Sequence, residues 1–160
     1  MNKTFLLALI LIFLSTKSFS AGSGSGSGDE KSNYDKAVSL IKSAKKNEKK
    51  GKTEKALKKF EKAQKLLIKS NNKKPNKADT LNYLGFTTRK LGDFENGEKY
   101  YLQGLAIDPN HKGINEYLGE LYVVTKRHNL AIERLEVLSG CNCKEYEQLK
   151  AVIAGEPSKY

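Results

Sequence analysis

Two cysteines and two histidines are the residues of this 160-residue chain that most readily carry chemistry. Cys141-Asn142-Cys143 places two thiols two residues apart, and the histidines are His111 and His128. Thiolates and imidazoles act as nucleophiles, redox groups or zinc ligands, but a structural zinc site takes four such ligands. Because the cysteine pair has no further Cys or His close to it in the sequence, we expect no metal and no cofactor.

The spacing of Cys141 and Cys143 predicts a disulfide, since residues two apart can approach the usual Cα separation and thiols oxidise in an exported protein. Two alternatives stay open at this stage. The thiols could be free or paired between chains, or they could take part in redox or metal chemistry.

No catalytic constellation accompanies these residues. His111 follows Pro109-Asn110 at the start of a predicted helix, and His128 takes a position that a structural ring would fill. The glycines of residues 92–97 have the spacing of a phosphate-binding loop, but Glu98 occupies the position where that loop requires lysine. We find no nucleophile with a base and no carboxylate pair, so we expect a protein that is not an enzyme.

The first 20 residues are typical of a secretory signal peptide. Lys3 is followed by ten apolar residues, 5–14, and then by small residues that favour cleavage before Ala21. Ten apolar residues are too few for a stable transmembrane span. Residues 21–32 are rich in glycine and serine and predict a flexible linker. We therefore expect export to a periplasm, or else secretion.

The rest of the chain repeats with a period of 34 residues. Leu84-Gly85 aligns with Leu118-Gly119, and Tyr101 aligns with Leu135. An earlier unit matches at a separation of 41, which is one period plus an insertion of seven residues around 71–75. Three units follow from this register, at about 37–70, 78–111 and 112–145.

The middle unit resembles the tetratricopeptide repeat family. The positions that carry the resemblance are Leu84-Gly85, Gly92, Phe94, Gly97, Tyr101, Gly104 and Pro109. The third unit has Lys126 in place of the turn glycine and Cys143 in place of proline, and the first has Ser43-Ala44 in place of Leu-Gly. The resemblance implies an all-α fold, a right-handed superhelical α-solenoid of about three helix-turn-helix repeats.

A final helix is expected to cover the last repeat. Residues 143–154 place Tyr146, Leu149, Val152 and Ile153 on one stripe at helical spacing. We therefore predict a repeat domain over 33–155 that ends in this capping helix, and a short tail at 156–160. The other helices are predicted at 34–50, 53–70, 77–91, 94–108, 111–125 and 128–138.

The family resemblance also implies where a ligand would bind, because first-helix residues line the concave groove of such repeats. The corresponding residues are Asn82, Tyr83, Phe86, Arg89, Glu116, Tyr117 and Glu120. Aromatic rings beside hydrogen-bonding groups suit an extended peptide. The carboxylate clamp known in the family is not expected, since Ile41, Gly113 and Tyr117 occupy several of its positions. A merely exposed surface is the alternative interpretation of these residues.

Charge is concentrated in the first hairpin. Residues 31–77 hold 17 lysines against 4 acidic residues, whereas residues 78–160 hold 10 basic and 12 acidic residues. The lysines are expected to spread around the helices, as on an ordinary solubilising surface, or to attract an anionic envelope lipid or polymer. Nucleic acid is not expected, because lysine without arginine supplies no base recognition. The favoured interpretation is an exported scaffold that binds a protein or peptide, while its oligomeric state is left open.

Overall fold

The computed structural model describes residues 32–159, which form seven α-helices and no strand. The predicted signal peptide and residues 21–31 of the predicted linker lie outside the described residues. The helices are α1 (Asn33–Glu48), α2 (Thr53–Lys73), α3 (Ala78–Lys90), α4 (Phe94–Ile107), α5 (Lys112–Val124), α6 (His128–Leu138) and α7 (Lys144–Ile153). None of these helices is long and apolar enough to cross a membrane.

The helices form three antiparallel hairpins that stack in chain order. α1 packs on α2, α3 on α4 and α5 on α6, while α2 contacts α3 and α4 contacts α5. The last helix, α7, packs on both α5 and α6 and buries Leu149 and Val152. The predicted all-α arrangement of helical hairpins with a final capping helix is thereby confirmed.

Glycines allow the close approach of helices at two equivalent positions. A Cβ atom on Gly85 would lie 2.5 Å from the ring of Tyr101, and one on Gly119 would lie 2.5 Å from the side chain of Leu149. Both large side chains are fully buried. The two Leu-Gly pairs of the sequence therefore mark the points of closest packing, where α4 contacts α3 and where α7 contacts α5.

α2 is longer than the sequence predicted. The expected end at residue 70 was wrong, since the helix continues to Lys73. The two asparagines at 71 and 72 do not interrupt it. It ends where Lys74 adopts an extended backbone (φ −139°, ψ 83°) immediately before Pro75, because proline disfavours helical geometry in the preceding residue.

The turns inside the three hairpins share a left-handed residue. Gly51 has φ 69° and Gly92 has φ 92°, and the matching residue of the third hairpin is Lys126 with φ 63°. A residue with a Cβ atom pays an energetic cost in this region, which glycine avoids. The third hairpin therefore keeps the turn geometry of the repeat without its preferred residue.

Replacing Lys126 with glycine should stabilise the protein. Relief of the left-handed strain should raise the free energy of unfolding by about 1 kcal/mol, measured by urea denaturation. Gly92→Ala is the matched control and should lower that free energy by a similar amount, because no atom lies within 4 Å of the added Cβ and only the backbone is affected. A Lys126→Gly variant less stable than the wild type would contradict this account.

Candidate partner-binding face

The first helices of the three hairpins, α1, α3 and α5, turn one side of each helix toward a shared surface. We call this surface the first-helix face. Its central residues are Lys45, Phe86, Arg89, Glu116, Tyr117 and Glu120. Neighbouring first helices contact each other, α1 with α3 and α3 with α5, so side chains from all three meet here.

The structure brings the predicted groove residues together but buries most of them. Of the seven, only Tyr83 is half-buried, and its ring meets that of Tyr34 edge-on at 5.9 Å between centroids. The other six are buried, with Phe86 completely inaccessible. The alternative of a merely exposed surface is therefore wrong for these six residues, because contact between first helices encloses them.

Aromatic rings form the floor of the face. Phe86 lies 4.9 Å from Tyr117 and 5.8 Å from Phe60, measured between ring centroids. The Nζ of Lys45 stands 4.4 Å from the centre of the Phe86 ring and donates a hydrogen bond of 3.0 Å to the hydroxyl of Tyr117. A lysine from the first repeat is thus bound by rings of the second and third.

A buried ion pair joins the second repeat to the third. Nη2 of Arg89 donates to Oε2 of Glu120 at 2.9 Å, and the two side chains are 6% and 1% exposed. The guanidinium also lies within 6 Å of the Phe86 and Tyr117 rings. Because a buried charge is costly without a partner, each member of this pair keeps the other in place.

Glu116 adds a second carboxyl group one helical turn before Glu120. Burial raises the pKa of Glu116 to about 8, with further increases from the neighbouring Glu120 and Glu145. Burial also lowers the pKa of Lys45 to about 8. The carboxyl group of Glu116 is therefore largely protonated at neutral pH, as expected for an acid enclosed beside another carboxylate.

Three buried oxygens on this side of the fold lack a hydrogen-bond partner among residues 32–159. They are Oδ1 of Asn82, Oε1 of Glu116 and Oε1 of Glu120, and a buried donor of the same cluster, Nε of Arg89, lacks a partner among these residues as well. Buried polar atoms in folded proteins are nearly always hydrogen-bonded, so a group of unpaired acceptors is unusual. The oxygens of Asn82 and Glu120 can accept from N–H, hydroxyl or ammonium groups of an added segment, while the protonated Glu116 carboxyl group and Nε of Arg89 can also donate.

The C-terminal segment of the chain reaches the same face. α7 ends at Ile153, Gly155 with its φ of 95° turns the backbone two residues later, and residues 156–159 are neither helical nor buried. The hydroxyl of Ser158 donates a hydrogen bond of 2.9 Å to Oε2 of Glu120. The sequence predicted this tail but gave no signal of its position, since the contact joins residues 38 apart.

Cys141, Cys143 and His111 make contacts within the fold itself, at a turn and at the start of a helix. Cys141 and Cys143 form a disulfide in the turn between α6 and α7, with their Cα atoms 5.2 Å apart. Nδ1 of His111 accepts from the backbone N–H of Ile114 and caps α5, while its Nε2 lies 3.1 Å from Asp79. Within residues 32–159, no group of three or more His, Cys, Asp or Glu residues is placed to hold a metal ion.

Residues 78–111 match the family described as Tetratricopeptide repeat, which confirms the resemblance seen in the middle unit. No curated protein matches the chain. Among solved structures, the chain is similar to the TPR domain of OM64 from Arabidopsis, at 14% identity and TM-score 0.48, over 76% of this chain and 97% of that one.

Two other solved structures show a comparable similarity. The second TPR domain of human RPAP3, solved in complex with an HSP70 peptide, is 17% identical with TM-score 0.49 and covers 78% of this chain and 99% of its own. The translocator chaperone SycD of Yersinia enterocolitica is 18% identical with TM-score 0.46, over 75% of this chain and 87% of its own.

The raised pKa of Glu116 predicts that stability falls with rising pH. Between pH 4.5 and about 8 the native state holds a proton that the unfolded state releases, so the free energy of unfolding should decrease across that window. Glu116→Gln should remove this decrease, which we expect to be on the order of 1–3 kcal/mol. Thermal denaturation at pH 5, 6, 7 and 8 measures it.

The matched control for this series is Glu95→Gln, since that carboxylate is 81% exposed on α4. Its melting temperatures should run parallel to those of the wild type. If the Glu116→Gln curve also runs parallel to the wild type over the whole window, Glu116 titrates as an ordinary exposed acid and the account of its burial is wrong.

Proposed function

We propose that the protein is a helical-repeat scaffold that binds an extended peptide segment of a partner protein on its first-helix face. The repeat at 78–111 supports the scaffold architecture. The chemistry of the face supports the choice of an extended segment, because such a segment offers backbone N–H groups at regular intervals and side chains that alternate in direction.

The observation that carries this proposal is the cluster of buried polar atoms on Asn82, Arg89, Glu116 and Glu120 that have no hydrogen-bond partner among residues 32–159. If these positions served stability alone, we would expect their polar atoms to be hydrogen-bonded or replaced by apolar groups. Each unpaired buried polar atom lowers the free energy of unfolding by about 1–3 kcal/mol. The half-buried rings of Tyr34 and Tyr83, on the first helices α1 and α3, add apolar contact area to these hydrogen-bonding groups, as in many ligand sites.

The position of the C-terminal segment supports the same mode of binding. Ser158 belongs to a non-helical stretch, and its hydroxyl satisfies Oε2 of Glu120. A donor carried by a non-helical segment can therefore reach Glu120 from outside the helices.

Replacing Glu116 with leucine tests the proposal directly. The change removes a buried unpaired oxygen and keeps a side chain of similar length, so the fold should be as stable as the wild type or more stable. Peptides selected from a random 12-residue library on residues 21–160 should bind the Glu116→Leu variant at least 10-fold more weakly. Calorimetric titration and thermal denaturation of the same samples measure both effects.

Glu95→Leu is the matched control, because it makes the same change at an exposed position of α4. Its peptide affinity should equal that of the wild type. If the selected peptides bind wild type and Glu116→Leu equally well, or if no peptide is selected, the first-helix face is not the binding site.

We also propose that the protein works outside the cytoplasm. Support comes from the basic start, the ten apolar residues of 5–14 and the small residues before Ala21. The disulfide between Cys141 and Cys143 suits an oxidising compartment.

Fusing residues 1–30 to leaderless alkaline phosphatase in a bacterial host should give active enzyme, because that enzyme folds only after export. The control fusion carries Leu9→Arg and Leu11→Arg, which interrupt the apolar run, and should be inactive. Equal activity of the two fusions, or none in either, would contradict export by this segment.

A further inference from the structure

Six of the seven lysines of α2 form a single stripe along the exposed side of the helix, whereas the sequence predicted lysines spread around the helices. The seventh, Lys59, is partly buried outside the stripe and donates a hydrogen bond to the hydroxyl of Ser43. Successive members are three or four residues apart, which is the repeat of an α-helix. All of them are exposed. They are Lys55, Lys58, Lys62, Lys65, Lys69 and Lys73.

The lysine stripe lies on the side of α2 that faces away from the core. The buried residues of the helix are Ala56, Phe60, Ala63 and Leu67. At about 100° per residue, the stripe occupies an arc of about 80° whose centre is about 150° from the centre of the buried residues. Packing against other helices therefore leaves the whole stripe accessible.

Ion pairs within the chain neutralise little of this charge. Lys58 pairs with Glu54 at 2.6 Å, and both side chains are largely exposed. For the other five members of the stripe, no carboxylate of residues 32–159 lies within 4 Å. Like charges at i and i+4, such as Lys58 with Lys62 and Lys65 with Lys69, oppose helix formation, so the alignment is not explained by helix stability.

The dimensions of the stripe define the shape of a complementary partner. From Lys55 to Lys73 the helix rises about 27 Å, with one ammonium group about every 5.4 Å. We propose that this stripe binds a linear polyanion, an extended chain that carries phosphate or carboxylate groups at similar intervals. Such a partner would contact all six lysines along one line.

A linear chain fits this stripe better than a flat anionic membrane. Exposed carboxylates of Glu54 and Glu61 flank one side of the lysines, and a planar surface would press against them as well. The stripe also contains no aromatic residue and no arginine on which bases could stack, which disfavours a single-stranded nucleic acid. An acidic partner helix would need an apolar seam, and the stripe offers none.

The test compares two variants that lose the same charge. Lys55, Lys62, Lys65 and Lys69 are changed together to glutamine in the stripe variant. The matched control changes Lys42, Lys46, Lys49 and Lys50, which are exposed on α1 and in the turn after it. The probes for residues 21–160 are inorganic polyphosphate, poly-L-glutamate, oligothymidylate, orthophosphate, and vesicles of equal phosphatidylglycerol and phosphatidylcholine. Thermal denaturation verifies that both variants fold.

The wild type should bind at least one of the two linear polymers, and the polymer that it prefers distinguishes phosphate from carboxylate. The stripe variant should bind about 100-fold more weakly at 50 mM salt, and the control less than 5-fold more weakly. The salt dependence of log K should become shallower by about three units in the stripe variant, since fewer counterions are released. Affinity should rise with polymer length until the chain spans about 27 Å.

Five results would overturn the proposal. The first is equal loss in the two variants, which would show a response to net charge alone. The second is absence of binding to both linear polymers. The third is stripe-dependent binding to the vesicles that exceeds binding to the polymers, and the fourth is preference for oligothymidylate. A response to orthophosphate as strong as to the polymers would likewise exclude a linear ligand.

Discussion

The close contact between glycine and a large side chain is the constraint on which the arrangement depends. Tyr101 reaches the backbone of α3 because Gly85 has no Cβ, and Leu149 reaches α5 because of Gly119. In each case the packed side chain is fully buried, so the second helix or the capping helix lies tightly against a first helix. With their outer sides covered in this way, the first helices turn their remaining polar residues toward one another.

That enclosure explains why the first-helix face is polar and yet buried. Arg89 and Glu120 compensate each other's charge, while Lys45 is held between the Phe86 ring and the Tyr117 hydroxyl. The carboxyl group of Glu116 is instead neutralised by a raised pKa, whose largest cause is burial. A face of this kind has most of its rotamers fixed before a ligand arrives, which reduces the ordering cost of binding.

The sequence predicted the fold well because its signals were local. The Leu-Gly pairs, the turn glycines and Pro75 each act on the backbone or on one neighbouring helix, and all six hairpin helices were expected near their observed positions. Lys126 adopts the left-handed turn conformation of the repeat although a lysine disfavours it, so the repeat keeps its turn geometry even where glycine is missing. The lysine stripe was also present as a three- and four-residue spacing in the sequence, and the end of α2 at Lys73 completes it.

The burial of the predicted groove residues and the contact of Ser158 could not be predicted, since both arise between distant parts of the chain. The second of these has a consequence for any outside ligand. Four residues separate the end of α7 at Ile153 from Ser158, and so short a tether keeps the hydroxyl near Glu120 at an effective concentration on the order of millimolar. An outside segment that engages Oε2 of Glu120 must displace this hydroxyl, so the apparent affinity of such a segment is weaker than its intrinsic affinity. Partners that contact Glu120 alone therefore bind the face weakly, whereas partners that engage several of its groups at once bind it more tightly.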